Sequence, residues 1–198
     1  MSALEQMYQQ VILDHARSPH GRGLVVDDAP ASGGNAGNAG AATHAAWHGG
    51  TCGTSHQVNP TCGDEVTLRV DLDNDVANPR IVRVSWDGQG CSISQASLSV
   101  MTDLVSGESL DRVDHVAGLF RELMGSRGKG LGDEAQDELG DAAAFTGVSQ
   151  FPARIKCALL GWAALKDATV GALAARGSAG RVQTAGTAAE TGDMAEQR

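Results

Sequence analysis

Three cysteines and one aspartate stand where a chain can aim side chains at a common point. Cys62 and Asp64 flank Gly63, Cys91 follows a Gly-Gln-Gly turn, and Cys157 lies just past Pro152. Thiolates and carboxylates are both metal donors. Three sulfurs and one oxygen complete a tetrahedral shell for zinc, and the same donors hold iron. Gathered without a cation, four formal negative charges would repel, so either some thiols keep their protons or an ion sits among them. The plainer alternative is that free cysteines are small buried hydrophobes, and the spacing lacks the paired C-x-x-C of a zinc ribbon. A second constellation, His44, His48, Cys52 and His56, recurs every four residues. Gly49, Gly50 and Gly53 fall inside it, each costing about 1 kcal/mol of helix stability, so it reads as a solvated loop with scattered histidines.

The elements that must position these residues follow from periodicity. Ser2 and Glu5 have capping-box spacing, and Leu4, Met7, Tyr8, Val11 and Ile12 recur at helical intervals, so residues 2–17 form an amphipathic helix ended by Pro19, Gly21 and Gly23. Residues 27–57, rich in Gly, Ala, Asn and Thr, bury too little apolar area to offset their ordering entropy and read as a mobile insertion. Val66, Leu68, Val70 and Leu72 alternate with polar residues as in a half-buried strand. Ile81, Val82, Val84 and Trp86 follow a turn-rich stretch, which completes an antiparallel hairpin. If the segment around Gly63 is extended, Cys62 and Asp64 project to the same side.

Helical spacing returns from Cys91 to Val105, again over residues 109–124, and from Pro152 to about Ala175, with a short solvated helix around 133–141. Gly128-Lys129-Gly130 has neither the pattern nor the context of a phosphate loop. Cys91 and Cys157 therefore sit near helix starts, where free N–H groups and the macrodipole bias a thiol toward thiolate. The fold expected is α+β, a small antiparallel sheet with helices covering one face, in a single domain over residues 1–176 followed by a disordered tail at 177–198.

Composition bounds the partners. The chain has 198 residues, enough for one core, with 41% apolar residues but only 4% aromatic ones, so Val, Ile, Leu, Met and Ala must build that core. A net charge of -9 has the wrong sign for nucleic acid or an anionic membrane surface. The first fifteen residues lack a basic, apolar secretory signal, and the longest apolar run, 157–165, is well short of a bilayer span, so a cytoplasmic protein is expected. A reducing compartment would keep four cysteines as thiols.

The strings YQQVILDHARSPHGRG (8–23), NPTCGDEVTL (59–68), WDGQGCSISQASLSVMT (86–102) and FPARIKCALLGW (151–162) resemble the SufU and IscU family of iron-sulfur cluster assembly proteins. The resemblance implies that Cys62, Asp64, Cys91 and Cys157 form one metal or cluster site. Lys156 stands where the IscU-like branch usually carries histidine, and 66 positions separate Cys91 from Cys157, as in the SufU branch with its insertion. That branch implies zinc at these four positions, a SufS-type cysteine desulfurase as sulfur donor, and delivery to downstream iron-sulfur assembly proteins. The alternative it leaves open is a scaffold on which iron or a nascent iron-sulfur cluster is held.

Within the SufU picture Cys62, in a glycine-flanked loop, is the catalytic nucleophile. It is freed from the metal when a histidine of the docked desulfurase replaces it, and it then accepts persulfide sulfur as a sulfurtransferase does. Arg154 and Lys156 are candidates to balance residual negative charge. A zinc hydrolase is disfavoured because four protein ligands leave no open position for water.

Overall fold

The computed structural model describes residues 3–25 and 50–186. Its elements are α1 (Ala3–Arg17), β1 (Cys52–Asn59), β2 (Asp64–Leu72), β3 (Ile81–Gln89), α2 (Ser92–Val105), α3 (Leu110–Gly125), α4 (Asp133–Leu139), a 3-10 segment (Gly140–Gln150) and α5 (Pro152–Gly186). The strands form an antiparallel meander in the order β1-β2-β3, with Asn59 opposite Asp64 across the first turn and Glu65 opposite Gln89. The expected α+β architecture holds, with three strands in place of two.

The third strand corrects the expected insertion at 27–57. Its last part, from Cys52, pairs with β2 along its whole length, Cys52 opposite Asp71 through Asn59 opposite Asp64. Cys52 and His56 therefore lie on a strand, and the His56 ring nitrogen Nδ1 is 2.9 Å from Thr67 Oγ1. His44 and His48, with the rest of 27–49, lie outside the described residues. The tail expected at 177–198 also changes, because α5 continues to Gly186; residues 187–198 are outside the described residues.

The core is built on β2, whose Val66, Leu68, Val70 and Leu72 are fully buried. Val70 pairs with Val84 and Leu68 with Trp86, so one sheet face is continuous and apolar. The α2 and α5 helices cover it. The α2 helix is buried on most sides, and its serines let α5 come close: Ser97 Oγ donates to the Ala158 carbonyl at 2.6 Å and lies 3.2 Å from the Trp162 indole N–H. Phe120 of α3 stacks on Trp162 at 4.8 Å and meets Phe145 of the 3-10 segment edge-on at 5.5 Å, which binds the outer helices to the core. Ser109 caps α3, its hydroxyl accepting from the Arg112 N–H.

Residues 152–177 of α5 are long and apolar enough to cross a bilayer, but half of that stretch is buried within the fold. Its buried residues include Ala158, Leu160, Ala164, Leu165, Ala168 and Ala172, the positions of a core helix lying on a sheet. This packing matters for the site. It fixes the start of α5 beside the β1–β2 turn, and the β2–β3 register brings the end of β3 to the same edge of the sheet.

Candidate metal centre

At that edge the chain reverses between Asn59 and Asp64. The Gly63 N–H donates to the Asn59 carbonyl at 2.9 Å, the Thr61 N–H to Asn59 Oδ1 at 3.1 Å, and Gly63 adopts φ +74. That left-handed geometry is open to glycine at little cost. Cys62 and Asp64 thus converge because the chain turns between them, where an extended segment had been expected. Cys62 is exposed on the loop, while Asp64, the first residue of β2, is buried. Gly90 makes room for it: a Cβ there would come within 3.1 Å of the Asp64 carboxyl carbon and 2.3 Å of Ser94 Oγ.

The buried Cys157 lies on the first turns of α5, with its sulfur 3.1 Å from that of Cys62. Asn59 Nδ2 donates toward it at 3.7 Å from the end of β1. Donor atoms of Cys62, Asp64 and Cys157 all lie within 4.8 Å of one another. Cys91 is the N-cap residue of α2 and is exposed; its backbone N–H donates to Asp64 Oδ1 at 3.2 Å. Its sulfur stands outside the tight group of three. The structure therefore gathers three of the four expected donors and places the fourth against one of them.

Electrostatics explain why the cluster suits a cation. Burial opposes ionisation of Asp64, yet the polar groups around it, the Cys157 and Cys91 thiols, the Ser94 hydroxyl and the Cys91 N–H, together outweigh it and hold the carboxyl below its ordinary range. Its other oxygen, Oδ2, is buried with no hydrogen-bond partner. A buried carboxylate oxygen without a donor is costly, and a metal ion satisfies it. Burial first, then the Cys62 and Asp64 hydrogen bonds and the negative charges of Cys91 and Asp64, push the Cys157 thiol well above the ordinary thiol range. This reverses the expected thiolate bias. Cys157 lies beyond the first turn, where the helix dipole fades, and desolvation dominates. Deprotonating it requires a stronger local charge than a helix end provides, which is what a divalent ion supplies.

Arg154 and Lys156, the two basic residues singled out by sequence, each contact a neighbour. Arg154 lies over the Phe151 ring, 4.6 Å from its centroid, and Lys156 Nζ is 3.5 Å from Thr61 Oγ1 on the hairpin loop. Asn59 and Ser94 support the site without having been singled out by sequence. Asn59 stands at a strand end before a proline and Ser94 in a helix first turn, positions where polar residues need no functional reason.

Residues 7–158 match the family model of the NifU-like N-terminal domain. The chain belongs to that family. This NifU-like chain is 34% identical over 163 residues to the zinc-dependent sulfurtransferase SufU of Bacillus subtilis, covering 82% of this chain and 89% of that protein. It is 36% identical over 168 residues to the iron-sulfur cluster assembly scaffold protein IscU of Streptococcus pyogenes, covering 85% and 86%. Among solved structures, the N-terminal part of a nitrogen-fixing NifU-like protein from Brucella abortus matches with TM-score 0.57 at 21% identity, covering 86% of this chain and 96% of that one, which supports the fold. The NifU-like chain is thus a member of the iron-sulfur cluster assembly proteins of the SufU and IscU type, with a metal-capable cysteine and aspartate cluster.

Proposed function

We propose that this protein relays sulfur for iron-sulfur cluster assembly, accepting it on Cys62 from the persulfide of a SufS-type cysteine desulfurase and passing it to downstream assembly proteins. The observation that carries the reading is the asymmetry of the sulfur pair. Cys62 is exposed on a four-residue loop, whereas Cys157, 3.1 Å away, is buried in α5. One sulfur is free to move to a partner and the other is fixed. Cys62, Asp64, Cys91 and Cys157 would together hold zinc, Cys91 joining by a side-chain reorientation from its exposed cap position. Zinc bound there would keep the thiols ionised and shielded from oxidation.

In the transfer step the Cys62 thiolate attacks the outer sulfur of the desulfurase persulfide. A sulfur–sulfur bond forms on Cys62 as the one on the desulfurase breaks, and the desulfurase cysteine leaves as a thiolate, so no net oxidation occurs. The hairpin loop presents the nucleophile, and Asp64 and Cys157 hold the vacated side of the site. Stimulation of a SufS-type desulfurase by the Cys62→Ala variant tests this. Stimulation should vanish while the far-ultraviolet spectrum and melting temperature show a folded chain, and undiminished stimulation would refute the role of Cys62.

The likeness to an IscU scaffold supports a second reading, assembly of an iron-sulfur cluster on the same four residues. Iron and labile sulfide retained after reconstitution, with transfer to an apo-acceptor, would favour it over sulfur relay.

A further inference from the structure

We propose that His15, His20 and Asp103 form a second divalent-metal site, of nitrogen and oxygen donors and separate from the cysteine centre. The three come from different places in the chain: the last turn of α1, the loop after it, and the last turn of α2. Their donor atoms all lie within 4.8 Å of one another, as compact a group as the cysteine cluster. Asp103 stands twelve residues beyond Cys91, ~18 Å along the rise of α2, so the two sites do not share an ion.

The group is built in advance of any ligand. The His20 backbone is clamped on both sides, its N–H donating to Ser99 Oγ at 2.8 Å and its carbonyl accepting from the Trp86 indole at 2.9 Å. The Trp86 N–H donates to the Gly21 carbonyl, and Gly21 at φ +71 packs against Thr102 so closely that a Cβ would lie 2.7 Å from its methyl group. The loop therefore has little freedom to carry His20 away from α2. His20 Nδ1 lies 2.7 Å from Asp103 Oδ2, and both side chains are about half exposed, so an ion reaches them from solvent. The His15 ring is edge-on to that of His20 with centroids 5.3 Å apart.

His15 supplies the second feature. Its side chain is nearly buried, and Nε2 is 3.2 Å from the Asp141 carboxylate while Nδ1 is 2.8 Å from Ser99 Oγ. A ligating histidine characteristically donates its remote ring N–H to a carboxylate, which fixes the ring and raises its basicity. Asp141 fills that role as a positioning residue, and the Ser99 hydroxyl now on Nδ1 is the partner that an ion would displace. Two imidazoles and a carboxylate, with open positions left for water, suit a borderline first-row divalent ion such as zinc, iron(II) or nickel. Without an ion the same groups form two histidine–aspartate pairs, a purely structural arrangement that the experiment must separate.

Calorimetric titration of the metal-free full chain with zinc makes that separation. The wild type should take up two equivalents, the tighter one on the cysteines. His20→Gln and Asp103→Asn should each lose the weaker equivalent and keep the tighter one. A Cys62→Ser, Cys157→Ser variant should keep the weaker step, so failure of the sulfur-relay reading leaves this result untouched. Asp141→Asn should retain the stoichiometry but bind about 10–100-fold more weakly at the second step. A single equivalent in the wild type, a second equivalent that survives His20→Gln, or one abolished by His44→Gln with His48→Gln would overturn the proposal. In the unaltered protein, the ring protons of His15 and His20 should shift on adding nickel after one equivalent of zinc; unmoved resonances contradict the site whatever the variants do.

Discussion

At Gly53 the β1 backbone nearly touches that of α5, and one methyl group there tests this packing. A Cβ on Gly53 would lie 1.9 Å from the Ala168 carbonyl oxygen and 2.5 Å from the Ala172 nitrogen, both backbone atoms that no rotamer change can move. Restoring ordinary contact parts the two backbones by about 1.5 Å, and overpacking of this kind costs ~1–3 kcal/mol, toward the upper end where neither side yields. At roughly 2–4 °C per kcal/mol for a chain of this size, Gly53→Ala should lower the melting temperature by about 5–10 °C. Gly118, inside α3 with nothing within 4 Å of its would-be Cβ, is the control. The same substitution there removes backbone entropy from the unfolded chain and should stabilise by ~0.5–1 kcal/mol. Thermal denaturation followed by circular dichroism measures both. Gly53 is six residues up β1 from the hairpin, ~20 Å away, so zinc stoichiometry should be unchanged in Gly53→Ala. A Gly53→Ala protein that melts with the wild type would refute the close β1–α5 packing.

Three further outcomes follow from the site. In Cys157→Ala and Cys91→Ala, bound zinc and melting temperature should fall together, more steeply for the buried Cys157, and chelation of the wild type should reproduce the loss, because structural zinc contributes roughly 10 kcal/mol or more to a folded site. In the metal-free protein Asp64 ionises more readily folded than unfolded, so its contribution is present above the ordinary aspartate range near 3.8 and is lost as pH falls through the lower folded value. Asp64→Asn should flatten that part of the acid unfolding curve. The Cys157 thiol has the opposite sign: raised from 9.0, it stabilises the metal-free fold fully below that pH and less as pH climbs above it, and Cys157→Ser should remove the alkaline decline in urea melts.

Much of the framework was legible because its apolar residues keep a clean period. Val66, Leu68, Val70 and Leu72 read as a strand and are fully buried, and Ser109 caps α3 one residue from the expected boundary. The β1 strand escaped because its inward positions carry no hydrophobic signal. Gly53 is small where α5 nearly touches, Ser55 donates to Asp167 at 2.8 Å, and Asn59 serves Cys157. The 3-10 segment escaped because Ala142, Ala143, Ala144, Phe145 and Val148 are buried without matching a period of 2 or 3.6.

The site was legible in its residues and not in its shape. Three distant cysteines and Asp64 could be chosen from their places between elements and from the family strings, but nothing local indicates that Gly63 turns left-handed. Nor does sequence show that Cys157 is desolvated enough to reverse the pull of its helix, or that Cys91 faces outward from a cap. The His15, His20 and Asp103 group was hidden for a related reason: Asp103 is one polar residue on a mostly buried helix, and only the packing of α1 on α2 brings it to the two histidines.

X-ray absorption at the zinc edge, on full-length protein carrying one equivalent of zinc, tests the shared cysteine and aspartate centre most directly. We expect three sulfur neighbours at ~2.3 Å and one oxygen at ~2.0 Å, with one sulfur lost in Cys62→Ala. A first shell of nitrogen and oxygen alone, or a spectrum unchanged by that substitution, would contradict convergence of Cys62, Asp64, Cys91 and Cys157 on a single ion.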